Sequence, residues 1–138
     1  MISMDELLSG NKLEDQPQET QDNLNDLLEK INKVRTAYAK AMTVSSGLRS
    51  MEHHLGIYAA KGITDKSKIP MKSKHLYGLA VDISDADGKL KEWAKANIKL
   101  MEEIGFWFES FDDTPTWVHF QTQPFGSYKA GGTRWFKP

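Results

Sequence analysis

Two kinds of apolar periodicity alternate along this chain. Leu24, Leu27, Leu28, Ile31, Val34 and Tyr38 recur at three- and four-residue spacings, which is the stripe of an amphipathic helix. Pro17 suits a helix's first turn, so the pattern predicts a helix over residues 17–40. Leu90, Trp93, Ala94, Leu100, Met101 and Ile104 form a second stripe. It predicts one helix over residues 89–104, with Gly105 as its stop. Residues 51–60 read as a short helix. Elsewhere the period falls to two. Leu79, Val81 and Ile83 alternate with Ala80, Asp82 and Ser84, and Val118 and Phe120 alternate with Trp117, His119 and Gln121. These predict strands over 79–84 and 116–122, each with one apolar face and one polar face. Shorter β-favouring runs begin at Met42 and Phe106. Asp85-Ala86-Asp87-Gly88 and Asp112-Asp113-Thr114-Pro115 carry turn chemistry.

The remainder is punctuation. Residues 1–16 are a polar arm with a small apolar cluster at Met4, Leu7 and Leu8. Residues 61–74 hold Gly62, Pro70 and five lysines and read as a loop over a cleft edge. The tail, with Gly126, Gly131, Gly132 and Pro138, is irregular. The expected fold is α+β, a small antiparallel sheet backed by helices, in one domain over residues 17–138 behind the arm.

Composition narrows the function. At 138 residues the chain suits a single core. Its 18 basic and 19 acidic residues leave a net charge of -1, without the basic excess that phosphate neutralisation demands. No nucleic-acid partner is expected. Cysteine is absent, so any metal must be held by His, Asp or Glu. No apolar run reaches the roughly 20 residues of a membrane span, and Met1-Ile2-Ser3-Met4-Asp5-Glu6 lacks the basic start of a secretory signal. The expectation is a monomer made in the cytoplasm that depends on other machinery if it acts outside it.

The polar strand faces hold the chemistry. Asp82 and His119 each stand opposite an apolar set, and His75 lies in the loop just before the strand of Asp82. Imidazole and carboxylate suit Zn²⁺, and three protein ligands plus water form the catalytic arrangement. Such an ion polarises a carbonyl and lowers the pKa of bound water to about 7. By spacing alone, a loop histidine near a turn-proximal aspartate is the blander account.

Three ordered motifs add to this: Ser45-Ser46-Gly47-Leu48-Arg49-Ser50, then Ser73-Lys74-His75 running through Gly78 and Ala80 to Asp82, then Trp117-Val118-His119. Together, over about residues 40–122, they resemble the M15 group of zinc peptidases: D-Ala-D-Ala carboxypeptidases, dipeptidases and phage endolysin peptidases that act on bacterial cell-wall peptides. That group shares its fold with lysostaphin-type enzymes and the hedgehog signalling domain. The resemblance implies a hedgehog/DD-peptidase-like fold and a Zn²⁺ cofactor held by His75, Asp82 and His119. It puts Arg49 at the substrate, where a guanidinium fork pairs with a carboxylate or steadies the scissile carbonyl. Ser73 would bond the substrate backbone, and Trp117 and Gln121, on the face of His119, would contact the substrate. The implied substrate is a peptidoglycan peptide. The compact chain without a signal suits a phage or prophage enzyme, released by lysis machinery or carried on a virion.

The proton acceptor departs from the pattern. Many relatives carry an acid three residues before the last ligand, where this chain has Thr116; others carry His two before, where it has Trp117. Asp113, six residues before, is the foremost choice, with Asp112 and Glu109 as alternatives. The missing acid keeps a second reading open, a zinc-binding cell-wall module without turnover. A two-metal phosphoesterase would want a carboxylate cluster, and a single ligand set is visible. His53 and His54 are adjacent, so they cannot share one helix face. Lys66, Lys68, Lys72 and Lys74 read as a solvated loop that could also attract an anionic polymer.

Overall fold

The computed structural model describes residues 1–69, 71, 73–126 and 128–136. Lys72, Pro70 and Pro138 from the sequence reading lie outside the described residues. The chain forms helix α1 (Met4–Leu8), helix α2 (Gln18–Tyr38), strand β1 (Val44–Ser46), helix α3 (Met51–Ala60) and strand β2 (Ala80–Ser84). It continues with helices α4 (Lys89–Ala96) and α5 (Ile98–Ile104) and strands β3 (Trp107–Glu109), β4 (Trp117–Gln121) and β5 (Trp135–Phe136). The α+β expectation holds. The sheet runs β1-β2-β4-β3-β5. Its first four strands pair antiparallel, and β5 joins β3 in parallel. That last strand was not foreseen in the tail, since two residues are too few to show a period.

The core follows the predicted stripes. Leu24, Leu27, Ile31 and Val34 of α2 are fully buried against Val81, Ile83, Val118, Phe120, Phe106 and Phe108. Ile2, Leu7 and Leu8 join the same cluster. A capping box between Ser3 and Glu6 starts α1, and its end is pinned where Leu48 N–H donates to the Leu7 carbonyl at 2.7 Å.

The predicted helix over 89–104 is instead two. Asn97 sits at φ -118°, ψ 32°, and its side-chain amide donates to the Trp93 carbonyl at 2.8 Å. Asparagine competes in this way with the helical ladder, so one helix closes at Ala96 and the next starts from Asn97. The preceding turn is tied by Asp85, whose carboxylate accepts from Leu90 N–H at 2.9 Å and Lys91 N–H at 3.0 Å, two amides that the new helix leaves unpaired. The same aspartate's N–H donates to the Thr116 carbonyl, which fixes β2 to the entrance of β4.

The β2–β4 ladder decides where the site lies. Its register sets Asp82 directly opposite His119 and Ile83 opposite Val118. One face of the ladder is therefore apolar and buried, and the other gathers polar side chains in a cleft lined also by α3, the 3-10 turn Lys74–Tyr77, Met71 and Phe125.

Candidate metal centre

His75 is carried on the 3-10 turn Lys74–Tyr77, which ends at Gly78 in the left-handed region at φ 72°. A β-carbon at Gly78 would come within 2.8 Å of Leu24 Cγ on α2. Glycine thus lets the turn reverse while lying against the helix, and His75 is delivered over β2. Its ring Nδ1 lies 2.9 Å from the Gly47 carbonyl. A carbonyl only accepts, so Nδ1 carries the hydrogen and Nε2 is left as the free donor atom. That Nε2 points at Asp82 Oδ2, 3.3 Å away, while Asp82 Oδ1 is 2.8 Å from His119 Nδ1. The three side chains each offer a ligand atom, all within 4.8 Å of one another.

The electrostatics suit a cation. Burial alone would raise the pKa of Asp82, but hydrogen bonds and charge from the two histidines outweigh it and hold the carboxyl well below its usual range. Burial pushes His75 down, with Asp82 only partly opposing it. Burial acts in the same direction on His119, yet the hydrogen bond and charge of Asp82, with smaller help from Gln121 and Glu109, leave it raised. A carboxylate with two imidazole nitrogens turned towards it draws in a positive species, a proton on His119 or a metal ion. The donor set and its open cleft side match the three-ligand pattern of a catalytic zinc site, and the Gly47 carbonyl supplies the outer contact that orients such a ligand.

The cleft holding these groups has a volume of about 840 Å³, within the usual range for ligand sites. Arg49, Ser73, Trp117 and Gln121 all line it with the triad. Arg49 is held by its own N–H, which donates to the His75 carbonyl at 3.0 Å. Its guanidinium lies 3.4 Å from both the Ser46 hydroxyl and His54 Nδ1. His54 is fully buried under α3 against Tyr58, while His53 is exposed. The Ser73 hydroxyl makes no hydrogen bond among the described residues. Gln121 is 2% exposed, and its amide is engaged by His119 and Gln123. Of the loop lysines, Lys66 and Lys68 are exposed and Lys74 reaches the cleft.

The acids divide sharply. Asp112 and Asp113 are exposed in the turn after β3, where Asp113 N–H donates to the Ser110 carbonyl. Neither lines the cleft among the described residues. Glu109 does. The pairs Trp107↔Gln121 and Phe108↔Phe120 continue to place Glu109 across from His119, on the same face, where opposed side chains are neighbours. Glu109 is half-buried, and burial first, then the negative charges of Asp82 and Asp113, raise its pKa against the opposing pull of His119. The sequence offers Glu109 as an alternative behind Asp113, and period two along Trp107-Phe108-Glu109 is the signal that favours it. Phe125 and Phe136, which wall the cleft from the tail, had no comparable signal.

Thr116, in the place of the acid that many relatives carry, is exposed at the entrance of β4. No curated protein and no solved structure matches the chain significantly. A family model, described as Peptidase M15, matches residues 2–120 and so takes in the triad, Arg49 and Glu109. By that match the chain belongs to the M15 peptidase family.

Proposed function

We propose that this protein is a zinc-dependent peptidase that hydrolyses peptide bonds in the stem or cross-bridge of bacterial peptidoglycan, encoded by a phage or prophage. The observation that carries the reading is the meeting of two chemistries on one sheet face. Three convergent ligand atoms of His75, Asp82 and His119 stand beside the carboxylate of Glu109, which has no hydrogen bond or ion pair among the described residues. A bound zinc ion would supply Lewis-acid polarisation of the scissile carbonyl and acidify a water molecule. The chain's own residues supply the rest. Glu109 takes the protons of the attacking water in turn and passes them to the leaving nitrogen, so the C–N bond breaks to a carboxylate and an ammonium without net proton change at the glutamate. Its position favours it over Asp113, which sits outside the cleft. Arg49, anchored through His75, His54 and Ser46, holds a substrate carboxylate or carbonyl at the cleft wall. Ser73 offers a free hydroxyl to the substrate backbone, and Trp117 an apolar surface.

Thr116 favours a second reading, in which the fold binds zinc and wall peptides without turnover. Mass spectrometry of purified muropeptides incubated with the zinc-loaded protein separates the two. The peptidase reading expects cleaved fragments that vanish with a chelator and with His119→Ala, and that variant should also lose stoichiometric zinc. Intact muropeptides of every stem and cross-bridge chemistry would leave the binding module standing instead.

A further inference from the structure

The geometry points to Gln121 as the positioning residue that fixes which nitrogen of His119 is offered to the metal. This rests on the triad's being a metal site, and not on which peptide is cleaved. Gln121 follows His119 by two positions on β4, so both side chains rise from the same sheet face. The Gln121 side chain is 2% exposed and His119 is 7% exposed, so solvent does not settle the hydrogen bonding of either. The amide has two ends with opposite hydrogen-bonding character. Its Nε2 lies 2.8 Å from the Gln123 carbonyl, an acceptor, so this end must be the NH₂ group. The orientation of the amide is thereby set, and the oxygen must face the imidazole. That oxygen lies 2.9 Å from His119 Nε2. Being an acceptor, it requires the hydrogen on Nε2. The lone pair of neutral His119 is then left on Nδ1, the atom 2.8 Å from Asp82 Oδ1.

The chain Gln123 carbonyl, Gln121 amide, His119 imidazole therefore runs in one direction and ends at the metal position. His75 has the same logic with its nitrogens exchanged. The Gly47 carbonyl holds its Nδ1–H and leaves Nε2 for the ion. A backbone oxygen makes the selection on one side, and a side chain that can be mutated makes it on the other. Gln121, expected from the sequence to touch substrate, is spent on the ligand beside it.

The test measures zinc affinity by competition with a chromophoric chelator, and nitrogen-15 shifts of the His119 ring. In the zinc-loaded wild type, the ring should carry its hydrogen on Nε2 and the metal on Nδ1. Gln121→Leu should weaken zinc binding by roughly 10- to 100-fold, the usual cost of losing an outer-shell partner. Gln121→Glu keeps an acceptor for the Nε2 hydrogen but sets its second oxygen against the Gln123 carbonyl, so its affinity should fall between those of Gln121→Leu and wild type, with the ring still metallated on Nδ1. A wild-type ring metallated on Nε2 overturns the assignment, whatever the variants do. So does Gln121→Leu with undiminished affinity. A wild type that binds no zinc sinks the metal reading itself, a different result from either of these.

Discussion

The two halves of the cleft floor are built on opposite terms. On the β2–β4 side, the groups around the triad form a connected chain: His75 meets Gly47 and Asp82, Asp82 meets His119, His119 meets Gln121, and Gln121 meets Gln123. On the β3 side, one strand over, Glu109 faces the same space with its carboxylate untied among the described residues and its pKa raised by burial. Tied groups hold their geometry, as ligands must. A loose, half-buried carboxylate does not hold a ligand geometry, but with its pKa raised by burial it takes up a proton more readily than an ordinary one. The difference suggests a division of labour between holding an ion and moving a proton.

The largest effect should come from breaking the loose side alone. Glu109→Gln keeps the shape and removes the base. It should lower kcat by about 10²- to 10⁴-fold, the contribution usual for positioned acid–base groups, while zinc content stays stoichiometric. Asp113→Asn should retain nearly wild-type turnover on the same muropeptide substrate. If the two variants exchange these outcomes, the turn after β3 reaches the cleft in solution and the assignment moves to Asp113.

That pair also marks how far the sequence could be read. The triad was legible because each of its members announces itself locally. Asp82 and His119 break an apolar alternation on the polar side, and His75 precedes a glycine that ends its turn. Glu109 was harder, since its meaning depends on β3 lying beside β4 in a particular register, and no local pattern states which strands are neighbours. The same limit hid β5, which is defined almost wholly by its pairing with β3. It hid the break at Asn97 as well, because a continuous apolar stripe survives a local helix interruption. The arm's role was partly visible. Met4, Leu7 and Leu8 showed an apolar cluster, but that Leu7 packs on Gly47 is a tertiary fact.

The tied side can be loosened from behind, with an intermediate effect. A β-carbon at Gly47 would collide with the Leu7 carbonyl oxygen of α1, a backbone atom that cannot swing aside. Gly47→Ala should therefore push α1 off β1 and cost about 1–3 kcal/mol, as overpacking does. Because the Gly47 carbonyl also holds His75 Nδ1, zinc affinity should fall with it. Chemical denaturation and chelator competition on one preparation would report both. Lost stability with unchanged zinc affinity would separate the arm from the metal centre and show that the His75 contact survives the shift.

The smallest effect concerns the metal-free protein, and its sign is informative. The folded-state pKa of Glu109 is raised above its ordinary value. At pH below both values, the folded and unfolded chains each hold the proton, and ionisation costs nothing. As pH rises through the window between the two values, the unfolded chain releases its proton first. The folded state then binds more protons, and stability falls. Glutamine has no such loss. The Tm advantage of Glu109→Gln over wild type should therefore be near zero below about pH 4 and positive by a small margin at neutral pH. Acid protonation of Asp82, whose depressed pKa makes it stabilising above its unfolded value and less so as pH falls through the folded one, is common to both proteins and cancels in the difference. Zinc should shrink the advantage, because a cation next to Glu109 favours its charged form. A variant less stable than wild type at neutral pH, without metal, would mean that the carboxylate is held by a stabilising contact, and the contrast between a tied and a loose side of the cleft would fail at its loose side.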